Sequence, residues 1–448
     1  MNGIKRAPKI FCMVALLFLI TGLQQVSAEN ISELYRIALS SDPQFRGASH
    51  ERLALKENVK QVWGRLTPDF RFEGVGGKVA QDIVSSNNPV YTSGGSRYDT
   101  KTYTFRATQP LFQYPLFMEY AQAKILSKRA DIDFAFARQD LILRLSQAYV
   151  AALYAKENVA YVKAEKKDIE TFSERANTRY QAGMAPITDV YDARARLASV
   201  NAQLVKAETE YRDALQGLRQ ICGQAVSELP GLKEDVPIVM PDPSDPEAWV
   251  KLGIEKNLKL LSQQQDADIA KKEVSRQKAG HYPTVDLVGR AYRQDVGGSV
   301  FGGGSTVDTQ ETLLQVTVPL LQGGYVLSKT REAQERQRKA DDGVERQKRE
   351  VIRQVNASYD GIKSSISRVE ALKQSIESQR VLVEAKEQGY RSGVYASLAV
   401  LDAARDLYLY RRDYAQSRFE YIMNTLRLKQ AVGTLDESDL DAINSWME

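Results

Sequence analysis

YQAGMAPITDVYDA, from Tyr180 to Ala193, occurs a second time in this chain as YRSGVYASLAVLDA, from Tyr390 to Ala403. Other segments are repeated at a similar spacing. QPLFQ at 109–113 corresponds to VPLLQ at 318–322, and YRIALSSDPQF at 35–45 corresponds to VKLGIEKNLKL at 250–260. Self-similarity dictates architecture, and a period of roughly 200 residues is far longer than a solenoid repeat. We therefore expect one pseudo-symmetric body made of two copies of the same unit.

The N-terminus has the pattern of a secretory signal peptide. Three basic residues precede the apolar run IFCMVALLFLI, and Val26-Ser27-Ala28 forms a small-x-small cleavage site. We expect residues 1–28 to be removed on export, because the run is too short to act as a membrane anchor. Cys12 lies inside the apolar run, so it cannot be the acylated first residue of a lipoprotein.

The remaining composition argues against several kinds of function. The formal net charge of +4 falls to +1 without the three basic residues of 1–28, and the charges are interspersed, which argues against nucleic acid as a partner. Cys222 is the single cysteine after residue 28, so no intramolecular disulfide can form. His50 and His281 stand alone, and we predict no metal site and no cofactor. Because no GxSxG, HExxH or Walker motif is present, we expect that the chain is not an enzyme.

Two long segments have the composition of uninterrupted helices. The first is predicted at 115–181, which has no glycine, and at 1.5 Å per residue it would be ~100 Å long. The second, at 325–392, contains glycines that weaken a helix without necessarily breaking it. Shorter helices are predicted at 186–222 and 396–432. Apolar residues recur at spacings of three and four, which indicates coiled-coil-like packing.

Four segments that precede the long helices alternate apolar and polar residues. We predict strands at about 68–75, 102–110, 283–292 and 311–319, joined in pairs by Gly/Ser/Asn-rich loops at 76–101 and 294–310. After residue 28 no stretch approaches the ~20 apolar residues of a membrane-spanning helix. Paired alternating strands in an exported chain are typical of a transmembrane β-barrel, with outward residues in lipid and inward residues in water.

Closure of such a barrel requires more than one chain. Even eight strands leave an interior filled by side chains, and an open sheet edge in lipid would cost several kcal/mol for each unpaired amide. Three chains would supply twelve strands. We therefore predict an α+β membrane protein with a trimeric twelve-stranded barrel, four strands per chain, continued by a helical coiled-coil tunnel. The predicted organisation is a signal peptide at 1–28, a first repeat at 29–235, a linker at 236–245 and a second repeat at 246–448.

Several segments together resemble the TolC-type outer-membrane factors of Gram-negative bacteria. The resemblance covers essentially the whole mature chain, and it is carried by LYRIALSSDPQ (34–44), APITDV (185–190), VPLLQGG (318–324) and YIMNTLRLKQAVGTLDESDL (421–440). It implies a homotrimeric exit duct in the outer membrane whose tunnel extends into the periplasm. It also implies docking to a periplasmic adaptor protein and an inner-membrane ABC or proton-driven transporter, for type I secretion of proteins, export of small toxic compounds, or both.

The resemblance places the functional residues where the helical hairpins turn, at the periplasmic entrance. Gly183, Pro186 and Gly393 would form the tip turns and contact the adaptor, and proline suits the first turn of the following helix. A latch that holds the entrance closed is implied for a second set of residues: Thr188, Asp189, Tyr390 and Tyr395. The family has an arginine in this latch at the position where this chain has Tyr395, while Arg391 lies nearby in the sequence.

An acidic ring at the entrance is implied for Asp189, Asp192 and Asp402. Carboxylates at a narrow aqueous constriction attract cations and repel anions. The family usually has a second aspartate where this chain has Ala399. Other roles for these residues stay open, because the first two acids also suit the N-terminal turn of a helix. Asp402 could instead lie on a solvated helix face, and the two tyrosines could be packing residues.

A periplasmic coiled-coil adaptor subunit of an export system is the alternative function. Adaptors also combine a signal peptide with a long helical hairpin. They need a membrane anchor or lipid, however, and they carry a single hairpin beside β-rich domains. This sequence predicts two long hairpins, each preceded by strands, and that pattern favours the exit duct.

Overall fold

The computed structural model describes residues 30–85, 87, 94–226, 229–233, 235–299 and 303–447. The signal peptide predicted at 1–28 lies outside the described residues. The helices are α1 (Ile31–Ser41), α2 (Pro43–Gly64), α3 (Tyr114–Gln181), α4 (Ile187–Cys222), α5 (Pro246–Lys256), α6 (Leu258–Lys278), α7 (Tyr325–Arg391), α8 (Ser397–Ala431) and α9 (Glu437–Ser445). The strands are β1 (Asp69–Ile83), β2 (Gly94–Phe112), β3 (Thr284–Val296) and β4 (Ser305–Thr317).

The four strands form one antiparallel sheet in the order β1-β2-β3-β4. Successive side chains of a strand point to opposite sides of the sheet, so its two faces can carry different kinds of residue. Phe70 stacks on Phe105, and Phe72 stacks on Tyr103, so one face carries exposed aromatic rings. β1 and β4 are the edges of the sheet, and neither has a second partner strand within the described part of the chain. Each edge therefore presents a row of unpaired backbone groups.

The strands extend further into their connections than the sequence pattern predicts. β1 continues to Ile83 and β2 begins at Gly94, inside the segment predicted as the loop 76–101. β3 continues to Val296 and β4 begins at Ser305, inside the predicted loop 294–310. Glycine and polar residues occur on both faces of these strand ends, so the sequence shows no alternation of apolar and polar residues there. The strand ends form through backbone pairing.

The long helices α3 and α7 each pack antiparallel against the helix that follows, which gives two helical hairpins. α3 has 68 residues and α7 has 67, so each is about 100 Å long at 1.5 Å per residue. Both end at a tip turn that contains a glycine with positive φ, 73° at Gly183 and 76° at Gly393. A residue with a Cβ atom adopts this left-handed conformation only at a cost, which is why glycine suits the end of a helix.

Five shorter helices were not predicted from the sequence: α1, α2, α5, α6 and α9. Asp42 caps α2 by accepting a hydrogen bond from the backbone of Phe45, and Asn257 caps α6 in the same way, at equivalent positions of the two repeats. α1, α5 and α9 pack around the middle of the long helices. The largest apolar core lies there, around residues such as Tyr149 and Ile422. Each fully buried large apolar side chain contributes about 1.5–3 kcal/mol.

Two smaller apolar clusters extend the core along the molecule. One, with Val162 and Leu401, lies between the two hairpins, while the other, with Val62 and Leu116, lies beneath the sheet. Among the described residues, no helix combines the length and the apolar composition needed to cross a membrane.

Candidate functional site

The two hairpin tips are joined by a buried hydrogen bond between Tyr390 and Asp189. Tyr390, near the end of α7, donates its hydroxyl proton to Oδ2 of Asp189 over 2.8 Å. Asp189 lies in the first turn of α4, where the helix dipole favours a carboxylate. The two residues are 8% and 7% exposed, so water does not compete for this bond. The structure therefore brings together two of the residues predicted to form a latch.

Tyr390 is also held by contacts with α3. Its ring lies 5.3 Å from that of Phe172, and the guanidinium of Arg179 lies over it at 4.9 Å. Nη1 of Arg179 also donates to the carbonyl oxygen of Tyr390, at 3.3 Å. Burial, together with the hydrogen bond to Asp189, raises the pKa of Tyr390 to about 12. The hydroxyl consequently remains protonated, and able to donate, throughout the physiological range.

The other two residues of the predicted latch do not contact Asp189 in this way. Thr188 is exposed. Tyr395 packs its ring against the backbone of Gly389, where a Cβ atom would lie 2.4 Å from Cδ2 of the ring. Tyr395 is 47% exposed, so this contact covers one side of the ring and leaves the other accessible. Arg391, the other candidate to replace the family's arginine, pairs with Glu387 at 3.8 Å within its own helix.

The remaining predicted acids also connect the two repeats. Ser397 donates its hydroxyl proton to Oδ2 of Asp192 over 3.0 Å. Asp402 accepts a hydrogen bond from Nη2 of Arg196 at 2.8 Å, and Arg405 lies 3.5 Å away. Its side chain remains 41% exposed, so it has access to water. Asp189, in contrast, is turned into the protein.

The duplication is broken at the tip, because the equivalent residues of the other repeat do not form a second hydrogen bond. Tyr180 corresponds to Tyr390 and is 42% exposed, while Ala399 corresponds to Asp189 and has no carboxylate. Sequence reasoning missed Arg179 and Arg196. The contacts of both depend on how the hairpins are placed against each other, and nothing in the local sequence distinguishes these arginines from others on the helices.

A buried acid lies between the hairpins, further from the tip. Glu165 on α3 is 1% exposed, and neither of its carboxylate oxygens accepts a hydrogen bond from another described residue. Nη2 of Arg412 is 3.9 Å from Oε2. Burial raises the pKa of Glu165, while Arg412, Arg196 and Arg405 act in the opposite direction. A charged carboxylate with so little compensation weakens the packing of the hairpins.

No metal centre is formed by the residues that the structure describes. Among them, no group of three histidine, cysteine, aspartate or glutamate side chains is placed to hold an ion. His50 and His281 are both exposed. Cys222 is buried, and burial raises the pKa of its thiol to about 11, so it is a poor nucleophile at neutral pH.

Comparison with known proteins identifies the family. The sequence model described as "Outer membrane efflux protein" matches residues 34–224 and again 249–434, one match to each repeat. The outer membrane protein TolC of Escherichia coli (strain K12) is 30% identical over 441 residues, which cover 95% of this chain and 87% of that protein. The alkaline protease secretion protein AprF of Pseudomonas aeruginosa is 26% identical over 428 residues, covering 95% and 89% of the two chains.

Solved structures share the fold. A crystal structure of CusC, described in connection with transmembrane channel formation, superposes with a TM-score of 0.79 at 14% identity and covers 91% of this chain and 92% of that one. The family model matches both repeats and a relative is 30% identical over 95% of the chain, so the chain belongs to the outer membrane efflux protein family. The resemblance inferred from the sequence is confirmed, and so is the expectation of an outer-membrane exit channel with strands continued by a helical tunnel. The alternative of a periplasmic adaptor is wrong, because both repeats match the channel family.

Proposed function

We propose that three copies of this chain form the exit duct of an export system, closed in the resting state at the hairpin tips. The sheet carries this proposal: four strands with both edges unpaired cannot remain open in lipid, and three such sheets joined edge to edge give a closed barrel. The helical hairpins would then continue the barrel as a tunnel. The duct itself is passive, and a pump in the inner membrane would supply energy and choose the cargo.

The hydrogen bond from Tyr390 to Asp189 would act as the latch. It joins a residue of the second hairpin to one of the first, so the tips can separate only if this bond breaks. The guanidinium of Arg179 lies over the ring of Tyr390 at 4.9 Å, so it supplies a positive charge beside the latch. We assign Arg179, and not Arg391, as the cation that supports closure in this chain, because Arg391 pairs with Glu387 within its own helix.

Exposed apolar residues at the tips support docking to an adaptor. Met184 is 71% exposed and Val394 is 73% exposed, on the two tip turns that contain Gly183 and Gly393. Tyr191 and Leu398, near the N-termini of α4 and α8, are also exposed. Apolar groups at the end of a tunnel suit a surface that a partner covers. A periplasmic adaptor protein is the partner that this location favours, together with an inner-membrane ABC or proton-driven transporter.

Protein secretion is the export function that the relatives favour. AprF of Pseudomonas aeruginosa and PrtF of Dickeya chrysanthemi are both named for protease secretion, and each is 26% identical to this chain over nearly its whole length. TolC of Escherichia coli is more similar, at 30% identity, and its name specifies no cargo. We therefore assign the chain to type I secretion first, and to the efflux of small compounds second.

Conductance in planar bilayers tests the duct and its entrance together. The reconstituted protein should form low-conductance, cation-selective channels that trivalent cations block from the tunnel side. Asp402→Ala should weaken this block, because the side chain of Asp402 in the proposed ring is 41% exposed, while Glu377→Ala at an exposed acid on α7 should leave it unchanged. Equal block in the wild type and in Asp402→Ala would remove Asp402 from the entrance. An assembled protein that forms no channels would contradict the duct itself.

A further inference from the structure

Three arginines lie side by side across the sheet on a single rung. Arg71 on β1 is paired with Arg106 on β2, and Arg106 is paired with Arg290 on β3. The rung ends at Glu311 on β4, opposite Arg290. Directly opposed residues point to the same face of a sheet. The aromatic residues Phe70, Phe72, Tyr103 and Phe105 occupy the alternate positions, so the arginines lie on the opposite, polar face.

This arrangement is costly for the sheet itself. Like charges placed directly opposite each other on neighbouring strands destabilise their pairing. The charge of Arg71 is compensated by an ion pair with Asp69 at 2.7 Å. The charge of Arg290 is compensated by Glu311 at 3.4 Å, and the ring of Tyr292 lies 4.6 Å from its guanidinium. A residue pattern that carries this cost without a structural benefit suggests a ligand of opposite charge.

Arg106 is the residue that the sheet leaves without compensation. It is exposed, it lies between two other arginines, and its neighbours on the same face of β2 are Thr104 and Thr108. The acids nearest to it in the pairing, Asp69 and Glu73, are diagonal neighbours on β1, and Asp69 already pairs with Arg71. No ion pair or side-chain hydrogen bond is formed by Arg106 with another described residue.

Space for a ligand is present at this position. A groove of about 920 Å³ opens where the sheet meets the helices, and its lining includes Arg71, Arg106 and Arg290. The guanidinium group presents parallel N–H donors that match the oxygens of a carboxylate or a phosphate. Strands are spaced 4.7–4.9 Å apart, so the three arginines span roughly 10 Å, which is enough for more than one such group.

We propose that this arginine row is an oxyanion-binding site inside the barrel, which receives the carboxylate or phosphate groups of molecules in the lumen. The proposal rests on the proposed function, because three chains are needed to make the polar face a lumen and to turn the row into a ring. The channel then has two opposite electrostatic preferences, for cations at the tunnel entrance and for oxyanions near the base of the barrel.

Block of the reconstituted channel by inorganic phosphate tests the site. Phosphate added from the barrel side, with chloride at equal ionic strength as the reference, should reduce the current through the wild type. Arg106→Gln should raise the half-blocking concentration about tenfold or more, the effect of losing hydrogen bonds to a charged group. Arg97→Gln, on the same strand but on the other face of the sheet, should behave as the wild type.

Further variants separate a binding site from a general effect of charge. Arg106→Lys keeps the charge without the forked donors, and we expect its block to be several-fold weaker than that of the wild type. Should Arg106→Gln fail to assemble, Arg290→Gln replaces it. Equal phosphate block in the wild type and in Arg106→Gln would overturn the site, and so would full retention of block in Arg106→Lys. Channels that conduct but ignore phosphate would overturn the arginine row alone, whereas an assembled protein without conductance would overturn the duct.

Discussion

At the scale of single residues, a hydrogen bond between a tyrosine and an aspartate from different repeats joins the two hairpin tips. The sequence predicts this pair through its resemblance to a family, and the structure places the two side chains within hydrogen-bonding distance. It does not predict Arg179 above the tyrosine ring, or Arg196 beside Asp402. Those contacts arise from the placement of one hairpin against the other, and neither periodicity nor spacing along one chain specifies that placement.

Removal of the Tyr390 hydroxyl should open the tip. Tyr390→Phe leaves the carboxylate of Asp189 buried without its donor, which costs the closed state about 1–3 kcal/mol. We expect single-channel conductance in planar bilayers to rise above that of the wild type. Tyr191→Phe is the matched control, because Tyr191 is 61% exposed on the same tip. Unchanged conductance in Tyr390→Phe would show that this hydrogen bond does not hold the tip closed.

The latch should be insensitive to pH across the neutral and mildly alkaline range. The pKa of Tyr390 is raised from the ordinary 10.0 to about 12. A group whose folded pKa is raised contributes stability that is present below the ordinary value and is lost as the pH rises through the folded value. Conductance of the wild type should therefore stay constant between pH 7 and about pH 10. A rise in conductance near pH 8 would contradict the role of Tyr390.

Glu165 should destabilise the folded hairpins at neutral pH. Its pKa is raised by burial, so the penalty of ionisation is absent below the ordinary value of 4.5 and grows as the pH rises through the raised folded value. Glu165→Gln should stabilise the protein in detergent by roughly 1 kcal/mol at pH 7, with a gain that shrinks toward pH 4. Thermal unfolding followed by circular dichroism measures this gain. Glu377→Gln, on an exposed face, is the control, and a gain independent of pH would contradict the account.

At the scale of elements, the long helices are easier to predict than the strands. The scarcity of helix breakers predicts helices at 115–181 and 325–392, and α3 and α7 lie at Tyr114–Gln181 and Tyr325–Arg391. The outer parts of β1 and β4 are held by backbone pairing among polar and glycine residues, so the sequence pattern stops short of their ends. Five shorter helices were also missed, although Asp42-Pro43 and Asp245-Pro246 are recognisable helix starts.

The turn of the second hairpin should depend on the absence of a side chain at Gly389. A Cβ atom there would lie 2.4 Å from the ring of Tyr395, so Gly389→Ala should displace the ring and loosen the tip. We expect trypsin to cleave after Arg391, whose side chain is 65% exposed, several-fold faster than in the wild type. Gly217→Ala, on α4 with no atom within 4 Å of the added group, should leave the cleavage rate unchanged. An equal cleavage rate in Gly389→Ala would show that this packing does not stabilise the turn.

At the scale of the whole molecule, the duplication explains the architecture. Each repeat supplies a strand hairpin and a helical hairpin, and the family model matches each repeat separately. The two repeats pack as one body, with the principal core where the shorter helices surround the long ones. The sheet of a single chain is incomplete, because within the described residues neither edge strand has a second partner and one face carries exposed aromatic rings.

The number of chains in the purified complex tests the central claim most directly. One sheet has two free edges that it cannot shield in lipid, and three chains supply twelve strands, more than the eight whose interior is filled by side chains. Native mass spectrometry of the detergent-extracted protein measures this number without reference to transport. The account predicts a single species with three times the mass of the mature chain. A monomeric chain that stays monodisperse in water without detergent would contradict it.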